Sequence, residues 1–181
     1  LKEVVKGLID SDIATIEDLD EIPNPLAIKA FKKSRQGFAT LMLKNYGQFY
    51  NGRRYNLDWT EEVWPLGKIF TIKWYRENNA TFWRLRHGEI TFIINPGGWH
   101  FSSVLNYEQL AFKLQTYSHI EKDNSIYNTE DEIKKKLERG IGWIGENRLK
   151  YETIDYTFPR IIRENQDYYD EFILKGPLSY D

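Results

Sequence analysis

Asp18 and Asp20, separated by one leucine in Asp18-Leu19-Asp20-Glu21, stand after a short apolar run and just ahead of a helix start. Two aspartates so spaced can leave a strand end together and converge on one hard cation. Oxygen ligands suit Mg²⁺ or Mn²⁺, which also take phosphate oxygens, so the pair is a candidate metal and diphosphate site. Alone, an Asp-x-Asp pair reads more commonly as a solvated turn. A second segment is Asn95-Pro96-Gly97-Gly98-Trp99-His100-Phe101-Ser102. Its glycines let backbone approach a ligand closely or take positive φ, and Trp99 offers a flat face for a sugar ring. The alternative is a β-turn whose tryptophan packs in the core, with His100 a hydrogen-bonded structural histidine. The third is KLQTYSHIE, residues 113–121, where Lys113, Ser118, His119 and Glu121 gather at a helix end. Lys113 shares a face with Tyr117 and can reach a phosphate beside the helix. A helix C-terminus favours charged His119, whereas metal ligation needs the neutral ring; Glu121 can orient it. The same run also reads as a solvated helix end.

The elements that must carry these residues read as alternating strands and helices. Residues 13–17 form a buried strand. Asn24 caps a helix with Pro25 at its first position, running to about Gln36 and stopping at Gly37. Residues 38–43 and 48–58 read as strands, the latter broken by the hairpin signal Asn51-Gly52. Residues 69–74 and 90–94 are further strands, with Pro96-Gly97-Gly98 as a turn after the second. A helix from Asn106 repeats Tyr107, Leu110, Ala111 and Leu114 on one face. Thr129 to Glu132 is a capping box whose helix stops at Gly140. Residues 145–147 read as a turn, and Pro159 opens a last helix expected to bury Ile161, Ile162, Tyr168, Tyr169, Phe172 and Ile173. With no repeat or low-complexity linker, one α/β domain over residues 1–181 is expected.

Composition fits a folded domain: 181 residues, 41% apolar and 15% aromatic. Such a length suffices to bury a core without covalent staples. The absence of cysteine excludes disulfides and thiolate metal sites. Lys+Arg 25 against Asp+Glu 27 gives no field of the kind nucleic acid or an anionic membrane requires, so neither is an expected partner. No apolar stretch approaches the ~20 residues of a membrane span. Any membrane anchor is expected upstream of Leu1.

Taken together, DLDEIPNP, GGWHFS and KLQTYSHIE resemble the signature segments of glycosyltransferase family 17, which includes the β-1,4-mannosyl-glycoprotein 4-β-N-acetylglucosaminyltransferases that add bisecting GlcNAc. The resemblance runs in order from about Asp12 to about Tyr169. It takes in residues 59–70, residues 82–86 with Leu85-Arg86, and Phe158-Pro159. It implies an α/β, GT-A-like nucleotide-sugar transferase fold. Because so little chain precedes the strand that delivers the aspartate pair, the N-terminal part of the nucleotide-binding half is expected to be missing. It further implies a divalent metal (Mn or Mg), UDP-GlcNAc as donor, a glycan hydroxyl as acceptor, and inversion at the anomeric carbon. On that basis Asp18 and Asp20 are metal ligands, and Glu21, Arg86, Trp99, His100, Lys113 and Ser118 bind donor or substrate. Glu121 is the expected base ahead of His119, since a carboxylate tolerates a site rich in metal charge. Asp18, Asp20, His100 and His119 are expected to line one cleft. Two other readings remain: a carbohydrate-binding module, suggested by 6 Trp and 12 Tyr, and an inactive transferase-like interaction protein.

Overall fold

Residues 3–88, 90, 92–116, 129–143 and 147–178 are described by the structure, a computed structural model. In chain order its elements are β1 (Ile13–Ile16), β2 (Glu21–Pro23), α1 (Pro25–Ser34), β3 (Phe38–Gly47), β4 (Gly52–Tyr55), β5 (Val63–Thr71), α2 (Ile72–Glu77), α3 (Phe82–His87), β6 (Ile93–Ser102), α4 (Tyr107–Thr116), α5 (Glu130–Glu138), β7 (Arg148–Tyr151) and α6 (Arg160–Glu164), followed by a 3-10 turn, Asp170–Phe172. The chain divides into two compact units, each drawn from two stretches. The first is Leu1–Lys44 with Val63–His100, and the second Asn45–Glu62 with Phe101–Asp181. Among the described residues no helix is long and apolar enough to cross a membrane.

In the first unit β1 pairs antiparallel with β5, and β5 pairs antiparallel with β3. Alternation along β5 sends neighbouring side chains to opposite faces. Ile69 joins Ala27 and Phe31 of α1 with Ala39, Leu41 and Leu43, whereas Phe70 joins Ile16, Ile72, Tyr75 and Leu85. Both sheet faces are therefore covered, which is why the adjacent residues Ile69 and Phe70 are both apolar and both fully buried. A boundary follows directly. The strand expected over 69–74 ends at Thr71, whose Oγ1 accepts from the Trp74 N–H at 3.2 Å and caps α2. At the front of the unit, Asn24 Oδ1 accepts from the Leu26 N–H and Pro25 opens α1 as expected, although the helix stops at Arg35 in a left-handed conformation rather than at Gly37.

The larger departure concerns the glycines. Pro96, Gly97 and Gly98 lie inside β6 rather than in a turn after it. A Cβ on Gly97 would sit 2.6 Å from the backbone N of Met42, and one on Gly98 would sit 2.2 Å from the carbonyl oxygen of Ile22. The close approach for which glycine is needed is thus between β6 and its neighbours β3 and β2.

The second unit pairs β4 with β7 antiparallel, and Tyr46 of β3 faces Arg53 of β4. Its core joins Leu110, Ala111 and Leu114 of α4 to Ile133 and Leu137 of α5, Trp143 and Leu149. Thr129 caps α5 as expected, and Gly140 follows its end at φ 65°. Asn51 precedes β4 and is buried. Its amide donates to the carbonyls of Glu152 and Leu174 and accepts from the Leu174 N–H, so it ties the C-terminal segment down. The last helix is shorter than expected. Ile162 is buried, but Ile161 and Tyr168 are exposed, because α6 ends at Glu164 and its one and a half turns present a single inward position. The expected turn at 145–147 falls largely outside the described residues.

Candidate functional site

The first unit gathers two of the three chemical segments. β2 pairs antiparallel with β6 so that Glu21 faces His100, Ile22 faces Trp99 and Pro23 faces Gly98. The chain leaves β1 at Ile16 and makes a tight turn, Glu21 N–H donating to the Asp18 carbonyl at 3.1 Å and Asp18 N–H donating to Glu21 Oε2 at 3.1 Å. This turn pushes Leu19 into solvent and leaves the side chains of Asp18 and Asp20 57% and 45% exposed.

Beneath the turn lies a buried ion pair. The Glu21 side chain is 0% exposed and Arg86, from α3, 4%. The guanidinium meets Glu21 with two parallel bonds, Nη1 to Oε2 at 2.9 Å and Nη2 to Oε1 at 3.0 Å, the strongest geometry for such a pair. It also donates to Asp18 Oδ2 at 2.6 Å and to the Leu66 carbonyl at 2.9 Å. Trp64 Nε1 donates to Glu21 Oε1 at 2.6 Å. Burial pushes the Glu21 carboxyl up, but the bonds from Arg86 and Trp64 outweigh it and hold the group below its usual range.

The Trp64 indole stacks on His100, with ring centroids 4.3 Å apart and planes 18° from parallel. His100 Nε2 in turn lies 3.5 Å from Asp20 Oδ2. Asp18, Asp20 and His100 therefore share one locality. Two further ionisable groups border it. Glu17 is raised to about 7, first by burial and then by the Glu21 charge, and its Oε1 has no hydrogen-bond partner among the described residues. Lys68, in β5, is buried and donates to Thr40 Oγ1 at 3.1 Å and to the Pro65 carbonyl at 2.5 Å. Burial, then the positive Arg86, brings its ammonium down to about 8.

The donor set is compatible with a hard cation. Among the described residues no group of three or more His, Cys, Asp or Glu side chains could hold a metal. A Mg²⁺-type ion needs only one or two carboxylates when phosphate and water complete its shell, and two exposed aspartates meet that requirement.

The remaining residues expected at a site are distributed as follows. Glu21 and Arg86 face inward and engage each other, and Trp99 is buried in β6. Lys113 lies in the second unit, donating to Ser103 Oγ at 2.8 Å beside the Trp143 ring. Ser118, His119 and Glu121 fall outside the described residues. Trp64 and Lys68 were not expected at the site. Lys68 carried a signal, a lone cation within an apolar strand; Trp64 carried none beyond its place in the 59–70 stretch.

No curated protein and no solved structure matches the chain. The family model described as Glycosyltransferase family 17 matches residues 1–168, and so takes in both the aspartate turn and the strand that backs it. The chain belongs to glycosyltransferase family 17.

Proposed function

We propose that the protein transfers N-acetylglucosamine from UDP-GlcNAc, with inversion, to a glycan hydroxyl on a GT-A-like framework. The observation that carries this reading is the membership of the family together with the exposed Asp18 and Asp20 on a turn braced from below by Glu21 and Arg86. Asp20 and Asp18 would hold Mn²⁺ or Mg²⁺, with Asp20 the direct ligand. Such an ion supplies charge neutralisation to the leaving diphosphate, worth several kcal/mol of transition-state stabilisation.

The chain's own residues do the rest. Arg86 and Glu21 are assigned to positioning instead of donor contact, because their polar atoms are engaged in fixing the turn. His100, fixed by Trp64, presents its Nε2 edge to Asp20 and limits the positions that carboxylate can take. Proton removal from the acceptor is assigned to Glu121, with His119 second.

The reaction is tested by incubating the protein with UDP-GlcNAc and oligomannose acceptors and reading the anomeric configuration of the product by NMR. A β-linked GlcNAc is expected; an α-linked product would contradict inversion. The Glu121→Gln protein should bind donor normally yet transfer roughly 10²–10⁴ times more slowly, the usual share of general-base catalysis. Wild-type turnover in Glu121→Gln beside an inactive His119→Gln would move the role to His119.

A further inference from the structure

Trp59 has φ 65°, in the left-handed region that a bulky side chain rarely occupies. The loop holds it there. Trp59 N–H donates to the Asn56 carbonyl at 2.9 Å, Asn56 N–H to the Thr60 carbonyl at 2.8 Å and Asn56 Nδ2 to Thr60 Oγ1 at 2.8 Å. Thr60 in turn donates through N–H and hydroxyl to Asp58 Oδ1. Backbone strain that the surroundings over-determine in this way clusters at ligand clamps. What the strain displays is an indole on a residue still 43% exposed.

Its neighbours give the displayed ring a chemical character. Tyr55 of β4 lies 6.1 Å away, centroid to centroid, and directly faces Arg148 of β7. The Arg148 guanidinium lies 5.6 Å from the Trp59 ring centre, and the Lys150 ammonium 5.8 Å from that of Tyr55. Neither cation has a carboxylate partner among the described residues, and Arg148 Nε is buried with no hydrogen-bond partner there. Elsewhere in this unit Arg53 and Arg54 are both neutralised by glutamates. Two aromatic rings bordered by two cations that have no carboxylate partner among the described residues suit a ligand with an apolar face and a negative group.

We infer that the β4–β7 ribbon carries a subsite for an acidic sugar of the acceptor, the pyranose stacking on Trp59 and its carboxylate or phosphate meeting Arg148 and Lys150. This rests on the proposed glycosyl transfer only for the word acceptor; the binding chemistry stands by itself. Stacking and charge-assisted bonds together give such a site both shape and sign.

The test titrates the protein by NMR with a glucuronic-acid-containing disaccharide, its neutral glucose counterpart, and UDP with Mn²⁺. The acidic disaccharide should bind at least tenfold tighter than the neutral one, and the preference should shrink with added salt. Trp59→Gly, which relieves the strained φ, should melt at a higher temperature than Trp59→Ala, and both should lose the disaccharide while keeping UDP. Trp59→Phe should retain most binding, and Lys150→Glu should abolish the acid preference. Equal affinity for the two disaccharides, unchanged binding in Trp59→Ala, or displacement of the acidic disaccharide by UDP would each overturn the subsite. Loss of UDP binding from the wild type with the disaccharide still bound would instead sink the donor assignment.

Discussion

Asp18 and Asp20 occupy one turn but are held differently. Asp18 receives a guanidinium bond from Arg86, whereas Asp20 stands over the edge of His100. The direct-ligand role is therefore proposed for Asp20, because a metal at Asp18 would compete with the Arg86 guanidinium for the same carboxylate. A separate test at this scale concerns Lys68. Its folded-state value, about 8, lies below the ordinary 10.5. Between those two pH values the unfolded chain holds a proton that the folded chain has released, so this group makes stability rise with pH from about 8 to 10.5. Urea unfolding at intervals across that window should show wild-type stability climbing relative to Lys68→Met. Parallel profiles would contradict the assignment of a burdened, buried ammonium. The sequence displayed the aspartates plainly, because a strand end followed by Asp-x-Asp is a local pattern. It hid the role of Glu21, since whether a carboxylate points out to solvent or in to an arginine depends on a partner 65 positions away.

At the scale of elements, α3 acts as a short arm whose Arg86 clamps the aspartate turn to β5 through Glu21, Asp18 and the Leu66 carbonyl. Removing one member of a buried pair strands the other, at a cost on the order of 3–5 kcal/mol. Arg86→Met should lower stability by about that amount in denaturant titration. Pairing it with Glu21→Gln, which deletes the stranded charge, should recover a substantial part. If the double variant is no more stable than the single, the coupling is absent. Helix starts were legible because caps are local: Asn24 and Thr129 accept from the backbone as their positions predict. The course of β6 was not. Pro96-Gly97-Gly98 carries turn chemistry, and only the crowding against Met42 and Ile22 explains why those glycines belong in a strand.

At the scale of the molecule, the mixed α/β composition was legible from alternating periodicities, but the pairing of β2 with β6 was not. That register brings DLDEIP beside GGWHFS, and it arises from long-range strand association that no local window encodes. The resemblance supplied the conjunction that local reading lacked, and the match over residues 1–168 supports it at the level of family. The proposed function stands on this braced aspartate turn holding a metal that receives the nucleotide diphosphate. Calorimetric titration of UDP into the wild-type protein and Asp20→Asn, each with and without Mn²⁺, tests it most directly. UDP binding should require Mn²⁺ in the wild type and be lost in a folded Asp20→Asn protein. Equal UDP affinity with and without Mn²⁺, or Mn²⁺-dependent affinity unchanged in Asp20→Asn, would contradict it.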